Sequence, residues 1–328
     1  MNPLVTLVVP TLNGSDYIQE TVSAALAQDY GNLDILISDN GSRDETLELV
    51  KSVTKDDPRV RFRRNEQTVP IYEHFNQCVA AARGEFLIVL DDDDTISPNF
   101  VSACVEVASR HPNVHVVVPR NVIVDDNGVV TNELATPEGD VFDGVEFVCD
   151  WLYGRTPAVF ASVGTVLSRT ALVREFGGYQ PFVRGRNIDN LVFLQCAISG
   201  RVGFAHEALF KWRVYVRSYA ASPPLRQLSS ASRDFVKHVE TDSRTLQALS
   251  MLAPERREQI IDGVRLMAAA ELLHVTKFWE QPFGLAKLKN LFIFPIHRRY
   301  YQLVFSHYWN RVLGRIRPTS ARSRPDEA

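Results

Sequence analysis

Apolar positions in the N-terminal part of the chain come in short runs separated by helically spaced ones. Leu4–Val9, Leu33–Ile37, Val60–Arg63, Phe86–Leu90 and Val114–Val118 have the length and continuity of buried strands. Between them, Ile18, Val22, Ala25 and Leu26 share one helical face, as do Leu47, Val50 and Val53. Ile71, Phe75, Cys78 or Val79, and Ala82 make a third face, and a fourth helix runs from Pro98 to His111-Pro112. Asp16 with Gln19, and Ser42 with Glu45, have capping-box spacing, and Ser97-Pro98 is a helix-start pair. Strands alternating with helices over short links predict a doubly wound, mostly parallel α/β sheet.

The regularity then breaks. Asp125-Asp126-Asn127-Gly128 between apolar runs predicts a hairpin turn. A helix with an Asp143-x-x-Glu146 cap is predicted to reach Tyr153. Gly164–Leu167 and Leu209–Val216 read as strands, and Asn187 to Ser199 as a helix closed by Gly200. From about Ser222 the pattern is helical, with Phe235, Val239, Leu246 and Leu249 marking one segment and Ile260, Val264, Met267 and Leu272 another. The boundaries expected are a catalytic domain over 1–221, split into a nucleotide-binding half (1–120) and an acceptor half (121–221), then a helical region over 222–317 and a disordered tail over 318–328.

Composition changes this picture little. The 328 residues are 45% hydrophobic and 23% charged, with a net charge of -3, which is ordinary for a globular chain and names no nucleic acid or other polyionic partner. No apolar run reaches the roughly 18 residues of a membrane span, and nothing resembles a leader peptide. Cys78, Cys104, Cys149 and Cys196 are widely spaced and read as reduced core residues of a cytoplasmic protein. Charge is uneven, however. From Phe283 onward Lys287, Lys289, Arg298, Arg299, Arg311, Arg315, Arg317, Arg322 and Arg324 face only Asp326 and Glu327. Tyr301, Phe305, Tyr308 and Trp309 are interleaved with them, a pattern that suits either packing on the protein or peripheral contact with an anionic membrane at the inner face of the plasma membrane.

The candidate chemistry lies directly behind the fourth strand, where Asp91, Asp92, Asp93 and Asp94 follow Leu90. Carboxylates crowded at the C-terminal end of a buried strand repel one another unless a cation intervenes. Such oxygens suit Mg²⁺ or Mn²⁺, which share their coordination shells with substrate phosphates. The bland alternative is an acidic turn before a helix.

Taken in order, Leu7-Val8-Val9-Pro10-Thr11-Leu12-Asn13, Ile37-Ser38-Asp39-Asn40-Gly41-Ser42-Arg43-Asp44, Gly84-Glu85-Phe86 through Asp94, and Gly177-Gly178-Tyr179 with Asp189 and Gly200 resemble the inverting family 2 glycosyltransferases of the Rossmann-like GT-A fold. The resemblance runs from about Val5 to Ser218. It implies transfer of a sugar from a UDP-, GDP- or dTDP-linked donor to a glycan or lipid-linked acceptor, as in envelope or surface polysaccharide assembly. It implies Asp93 and Asp91 at the metal, with Asp91 or Asp92 at the ribose or a metal-bound water. Pro10, Thr11, Asn13 and one or both of Asp39 and Asn40 would line the nucleoside cleft. Asp189 would be the general base, although Ile188 stands where the family usually has a flanking acid. Arg63, Arg64 and Asn65 would face diphosphate or base, or else be surface residues. Asp94 would cap the next helix or line the sugar site. Tyr215 stands where many members carry a His that helps with metal or phosphate, and Arg213 or Arg217 would replace that contact. His74 and His206 read as structural.

Two other classes remain. One is a sugar- or nucleotide-binding protein without catalysis on the same fold, which Mn²⁺-dependent nucleotide-sugar turnover would rule out. The other is a phosphatase using Asp91-x-Asp93-x-Thr95, a motif that normally opens the first strand of its domain rather than following three strand–helix units.

Overall fold

The computed structural model of the chain describes residues 2–55, 57–155, 165–215 and 225–275. The basic segment after Phe283, the tail over 318–328 and the boundary at 221/222 lie outside them. In chain order the first half runs β1 (Val5–Thr11), α1 (Ile18–Leu26), β2 (Leu33–Asp39), α2 (Thr46–Thr54), β3 (Val60–Arg64), α3 (Ile71–Ala81), β4 (Phe86–Val89), β5 (Thr95–Ile96), α4 (Phe100–Arg110) and β6 (Val114–Val124). The second half runs β7 (Val130–Glu133), β8 (Val141–Asp143), α5 (Gly144–Leu152), β9 (Leu167–Arg169), α6 (Thr170–Glu175), α7 (Ile188–Ile198), β10 (Arg201–Arg213), α8 (Leu225–Thr241), α9 (Ser243–Ser250) and α10 (Pro254–Val275).

The strands form one sheet in the order β3-β2-β1-β4-β9-β6-β10-β5, with β7 paired to β6 and β8 to β10. Strands β3, β2, β1 and β4 are parallel, and β6 is parallel to β10. The short β9 runs antiparallel between β4 and β6, so the sheet is mixed. The chain builds outward from β1 to β3 and then returns to β4 on the other side of β1. That reversal opens a crevice at the C-terminal ends of β1 and β4.

Every residue of β1, β2 and β4 is buried, because helices cover both faces. The period of two divides each strand between two cores. Leu7, Val9, Ile35, Ile37 and Ile88 face the layer of α1, α2 and α4, while Val8, Leu36, Leu87 and Val89 face α3, α5 and α7. The four cysteines are buried and free, as expected.

Several local signals resolve differently from expectation. The Asp16–Gln19 box does not form; α1 opens at Ile18, whose amide donates to the Gly14 carbonyl at 2.9 Å. Helix α2 starts at Thr46 instead of Arg43, because Ser42 is tied to Asp39 and Asp44 takes over the capping by accepting from the Thr46 amide at 3.2 Å. Helix α4 starts at Phe100, after Ser97 and Asn99 bond each other. Where one long segment was expected, Asp242 breaks the helix and caps α9 through the Thr245 amide at 2.9 Å. The Asp143 cap forms, and so does the hairpin turn at Asp125, whose side chain accepts from Asn127 and Val129 amides.

Helices α8–α10 are not a separate layer. Phe235, Val239, Leu249, Ile260 and Val264 are buried in the same core as α5 and α7. Among the described residues no helix is long and apolar enough to cross a membrane. Phe235 is fully buried. Phe235→Ala is therefore expected to cost about 3–5 kcal/mol in chemical denaturation, with sheet and helices still unfolding in one transition. Loss of the helical signal ahead of the sheet would contradict a shared core.

Beneath the sheet, His74 Nε2 lies 2.8 Å from Ser38 Oγ, which also accepts from Arg63 Nη1 at 3.1 Å. Burial first, then the Arg63 charge, push His74 down to about 4. The unfolded chain therefore takes up this proton first, and stability falls as pH drops from about 6.5 toward 4. Relative to His74→Gln, the wild type should lose up to about 3 kcal/mol across that window in pH-resolved urea titrations. Parallel curves for the two proteins would remove His74 as the cause.

Candidate active site

The amide of Leu90, the last residue before the acidic turn, donates to the Val8 carbonyl at 2.9 Å. The turn is gripped from two sides. Thr21 Oγ1, on α1, donates to the carbonyls of Asp92 and Asp94 at 3.0 and 2.8 Å. From the end of β10, the Arg213 amide donates to Asp94 Oδ1 at 2.7 Å and its Nε to the Asp93 carbonyl at 2.9 Å. The same guanidinium reaches the carbonyls of Asp125 and Asp126 and pairs with Glu20 at 2.6 Å.

These contacts sort the four carboxylates. Asp94 is buried and locked onto Arg213; it neither caps α4, whose N-cap is Asn99, nor lines the cleft. Asp92 accepts from Thr11 Oγ1 and from the Leu12 amide at 3.4 Å, and sits where a Cβ on Gly14 would come within 2.3 Å. Its link to Thr11 joins β4 to β1, so the Thr11 hydroxyl serves this latch. Asp91 is exposed at the mouth of the turn, and Asp93 is half-buried with its carboxylate hydrogen-bonded by Tyr215.

All four acids are pushed upward. Asp91 retains solvent contact, yet the protein around it strips away bulk hydration; that burial comes first, followed by the charges of Asp93, Asp92 and Asp189, and its pKa rises well above the carboxylate range. Burial raises Asp92 to about 7 against the Thr11 hydrogen bond. Asp93 rises through burial, opposed by the Tyr215 hydrogen bond and Arg213. Asp94 rises well above the usual range through burial and then Asp93 and Asp91. Four full negative charges do not coexist comfortably here without a cation.

Asp189 lies in the first turn of α7. The approach is tightly turned: Arg184, Gly185 and Asn187 all have positive φ, near 60°, where a side chain costs free energy. Asp189 lines a small cavity together with Leu87 and Val89, the residues of β4 that lead to Asp91, and with Tyr179. After burial, the charges of Asp189 and then Asp91 raise the Tyr179 phenol. Gly177 and Gly178 turn with positive φ, and Asn76 brackets the Tyr179 backbone with two hydrogen bonds of 2.8 Å. Asp189 is near enough to Asp91 for its charge to help raise the Asp91 carboxyl.

At the crevice's other end, Asp39 pairs in register with Thr11 and is fully buried. Its Oδ1 accepts from the Ser42 amide and hydroxyl, while Oδ2 lies 3.1 Å from Arg64 Nε without hydrogen-bonding geometry and has no hydrogen-bond partner. Asn40 makes three hydrogen bonds: Nδ2 donates to the Val69 carbonyl, and Oδ1 accepts from Val69 and Asn65. Asn13, at φ 55°, is tied to Ser42 and Arg43, and Pro10 is buried in β1. Arg64 donates to the Ser42 carbonyl at 2.8 Å and stays part-exposed beside Asp39. Arg63 turns inward to Ser38, Asn65 and Gln77, so neither it nor Asn65 is spread on the surface. His206 bonds the Gly139 carbonyl, a structural contact. Arg217 lies outside the described residues. The clamp made by Tyr17, Glu20 and Thr21 was not foreseen; those residues lie far from Arg213 in the chain, and only the two-residue spacing of Arg213 and Tyr215 along an extended segment hints at it.

Comparison with known proteins fits this arrangement. Residues 6–150 match the family model described as Glycosyl transferase family 2. A chondroitin synthase of Pasteurella multocida is 31% identical over 137 residues, 42% of this chain and 14% of that protein. A GalNAc(5)-diNAcBac-PP-undecaprenol beta-1,3-glucosyltransferase of Campylobacter jejuni is 27% identical over 138 residues, 40% of this chain and 42% of that one. The chain therefore aligns with less than half the length of either relative. The crystal structure of S. aureus TarS 1-349 in complex with UDP-GlcNAc superposes with a TM-score of 0.67 at 15% identity, covering 94% of this chain and 87% of that one. The fold is that of the GT-A glycosyltransferases, and residues 6–150 match the model of glycosyl transferase family 2.

Proposed function

We propose that the chain transfers a sugar, with inversion, from a nucleotide-sugar donor to a hydroxyl of a glycan or lipid-linked acceptor. What supports this is Asp189, at the start of α7, in a cavity lined by Leu87 and Val89 of β4, with its charge felt by Asp91 just beyond that strand. Asp189 takes the proton of the acceptor hydroxyl as its oxygen attacks the anomeric carbon. The bond from that carbon to the phosphate oxygen breaks on the opposite face, and the nucleoside diphosphate leaves.

Mg²⁺ or Mn²⁺ fits the donor set. Among the described residues no three His, Cys, Asp or Glu side chains converge to cage a metal on their own. Asp92 and Asp94 are engaged, leaving Asp91 and Asp93, and such ions commonly take one or two carboxylates and complete their shell with phosphates and water. An ion held by Asp91 and Asp93 would neutralise charge developing on the diphosphate.

For the nucleoside, an Asp39 oxygen that pairs with Arg64 but accepts no hydrogen bond favours Asp39 over Asn40 as acceptor for a base N–H or ribose hydroxyl. Asn40 instead holds the 65–69 segment as a wall of the cleft. Arg64 balances the Asp39 charge. A glycan or undecaprenol-linked acceptor is supported by the names of the two relatives, and a place in surface polysaccharide assembly at the cytoplasmic face of the membrane is proposed with it. The basic, aromatic segment after Phe283 is the part proposed to touch that membrane.

Asp189→Asn is expected to keep nucleotide affinity in calorimetry and to lower turnover about 10²–10⁴-fold. Turnover near that of the wild type would discard Asp189 as the base. In a melting screen of UDP-, GDP- and dTDP-sugars with and without Mn²⁺, one base should raise the melting temperature most, and more so with the ion, because ligand binding to the folded state stabilises it. A flat response to every sugar under both conditions would sink the transferase reading.

A further inference from the structure

Tyr17, directly before α1, and Glu20 and Thr21 within it fall at helical spacing on one face. All three meet the acidic turn or the group that grips it. Tyr17 lies under the Arg213 guanidinium, 4.5 Å from its ring centroid, and Glu20 pairs with the same guanidinium. Thr21 goes to the turn itself. It is fully buried, and its hydroxyl lies 3.0 Å from the Asp92 carbonyl and 2.8 Å from that of Asp94. The other two carbonyls of the turn are also taken. That of Asp91 accepts from the Asp94 amide at 3.2 Å, and that of Asp93 from Arg213 Nε at 2.9 Å. Every carbonyl from Asp91 to Asp94 is thus hydrogen-bonded, and two of the four rest on one hydroxyl.

The backbone moves by turning whole peptide planes, and each plane carries the Cα atoms on either side of it. Holding the carbonyls therefore fixes where each aspartate side chain begins. The Asp92 carbonyl belongs to the plane directly before Asp93, and the Asp93 carbonyl to the plane directly after. Thr21 holds the first plane and Arg213 the second. Without the Thr21 hydroxyl, the planes carrying the Asp92 and Asp94 carbonyls lose that anchor. The carboxylates they carry would then meet an ion in its binding geometry only part of the time. We propose that Thr21 is a positioning residue: its hydroxyl fixes the backbone of the acidic turn so that Asp91 and Asp93 stand ready for the divalent cation. This rests on the metal-assisted transfer proposed above. In this role Thr21 acts through backbone carbonyls and touches neither ion nor substrate. Loss of a group that orients a ligating carboxylate commonly costs about 10–100-fold in metal affinity.

The test titrates Mn²⁺ into the full chain, with and without inorganic pyrophosphate, following the electron paramagnetic resonance signal of free Mn²⁺. Thr21→Val fills the same space without a hydroxyl, and Thr21→Ala removes the hydroxyl and leaves room. Both should weaken Mn²⁺ binding at least about tenfold. Both should raise the Mn²⁺ concentration needed for half-maximal turnover by a larger factor than they lower kcat at saturating Mn²⁺. Thr21→Ser keeps the donor and should bind Mn²⁺ like the wild type. Melting temperatures without metal separate this role from a purely structural one. Unchanged Mn²⁺ affinity in Thr21→Val and Thr21→Ala, whatever their melting temperatures, makes Thr21 a folding residue and overturns the inference. Failure of both variants to fold does the same, as does a Thr21→Ser variant that binds Mn²⁺ no better than Thr21→Val. Each of these outcomes leaves the metal reading standing. A wild type that captures no Mn²⁺ under either condition removes the metal reading and this inference with it.

Discussion

Mutual repulsion among four carboxylates at one strand end is the constraint around which the molecule is arranged. Left alone, the turn would splay into solvent, where water screens its charges. Instead Thr21 on α1 and Arg213 at the end of β10 hold its carbonyls, and Thr11 latches Asp92 to β1. Two acids are thereby tied down, while Asp91 and Asp93 keep access to the cleft. A buried arginine bonded to three carbonyls and one carboxylate is a costly group to strand, which explains why its partners come from α1, the acidic turn and the β6–β7 hairpin together.

Much of this was legible in the chain. Apolar runs of strand length between helical faces defined the parallel half of the sheet, because strands covered on both faces cannot alternate with polar residues. The acidic turn stood out for the same reason: charge directly behind a buried strand has nowhere to go except the crevice. Asp189 was reachable only through the family pattern, since an acid in a helix's first turn is favoured anyway.

What escaped notice depends on which partner wins each polar group. A strand was expected over Gly164–Leu167; β9 runs Leu167–Arg169, and its antiparallel pairing with β4 and β6 leaves no periodic trace. The capping boxes at Asp16 and Ser42 had the right spacing, yet Gly14 and Asp39 claim those segments for the site. Asn40 was expected at the nucleoside beside Asp39; its amide makes three hydrogen bonds, to Val69 and Asn65. Around Asn40 the competing hydrogen bonds come from residues far along the chain, while at Asp16 and Ser42 they come from Gly14 and Asp39 a turn away.

Helix α7, which carries Asp189, is packed from the rear by the C-terminal helices. Gln195 on its buried side donates to Thr245 of α9 at 2.9 Å, and Phe235 and Val264 fill the same interior. The helices beyond β10 thus form the seat of the proposed base. A chimera that grafts another enzyme's C-terminal helices onto this sheet would have to import the matching α7 as well.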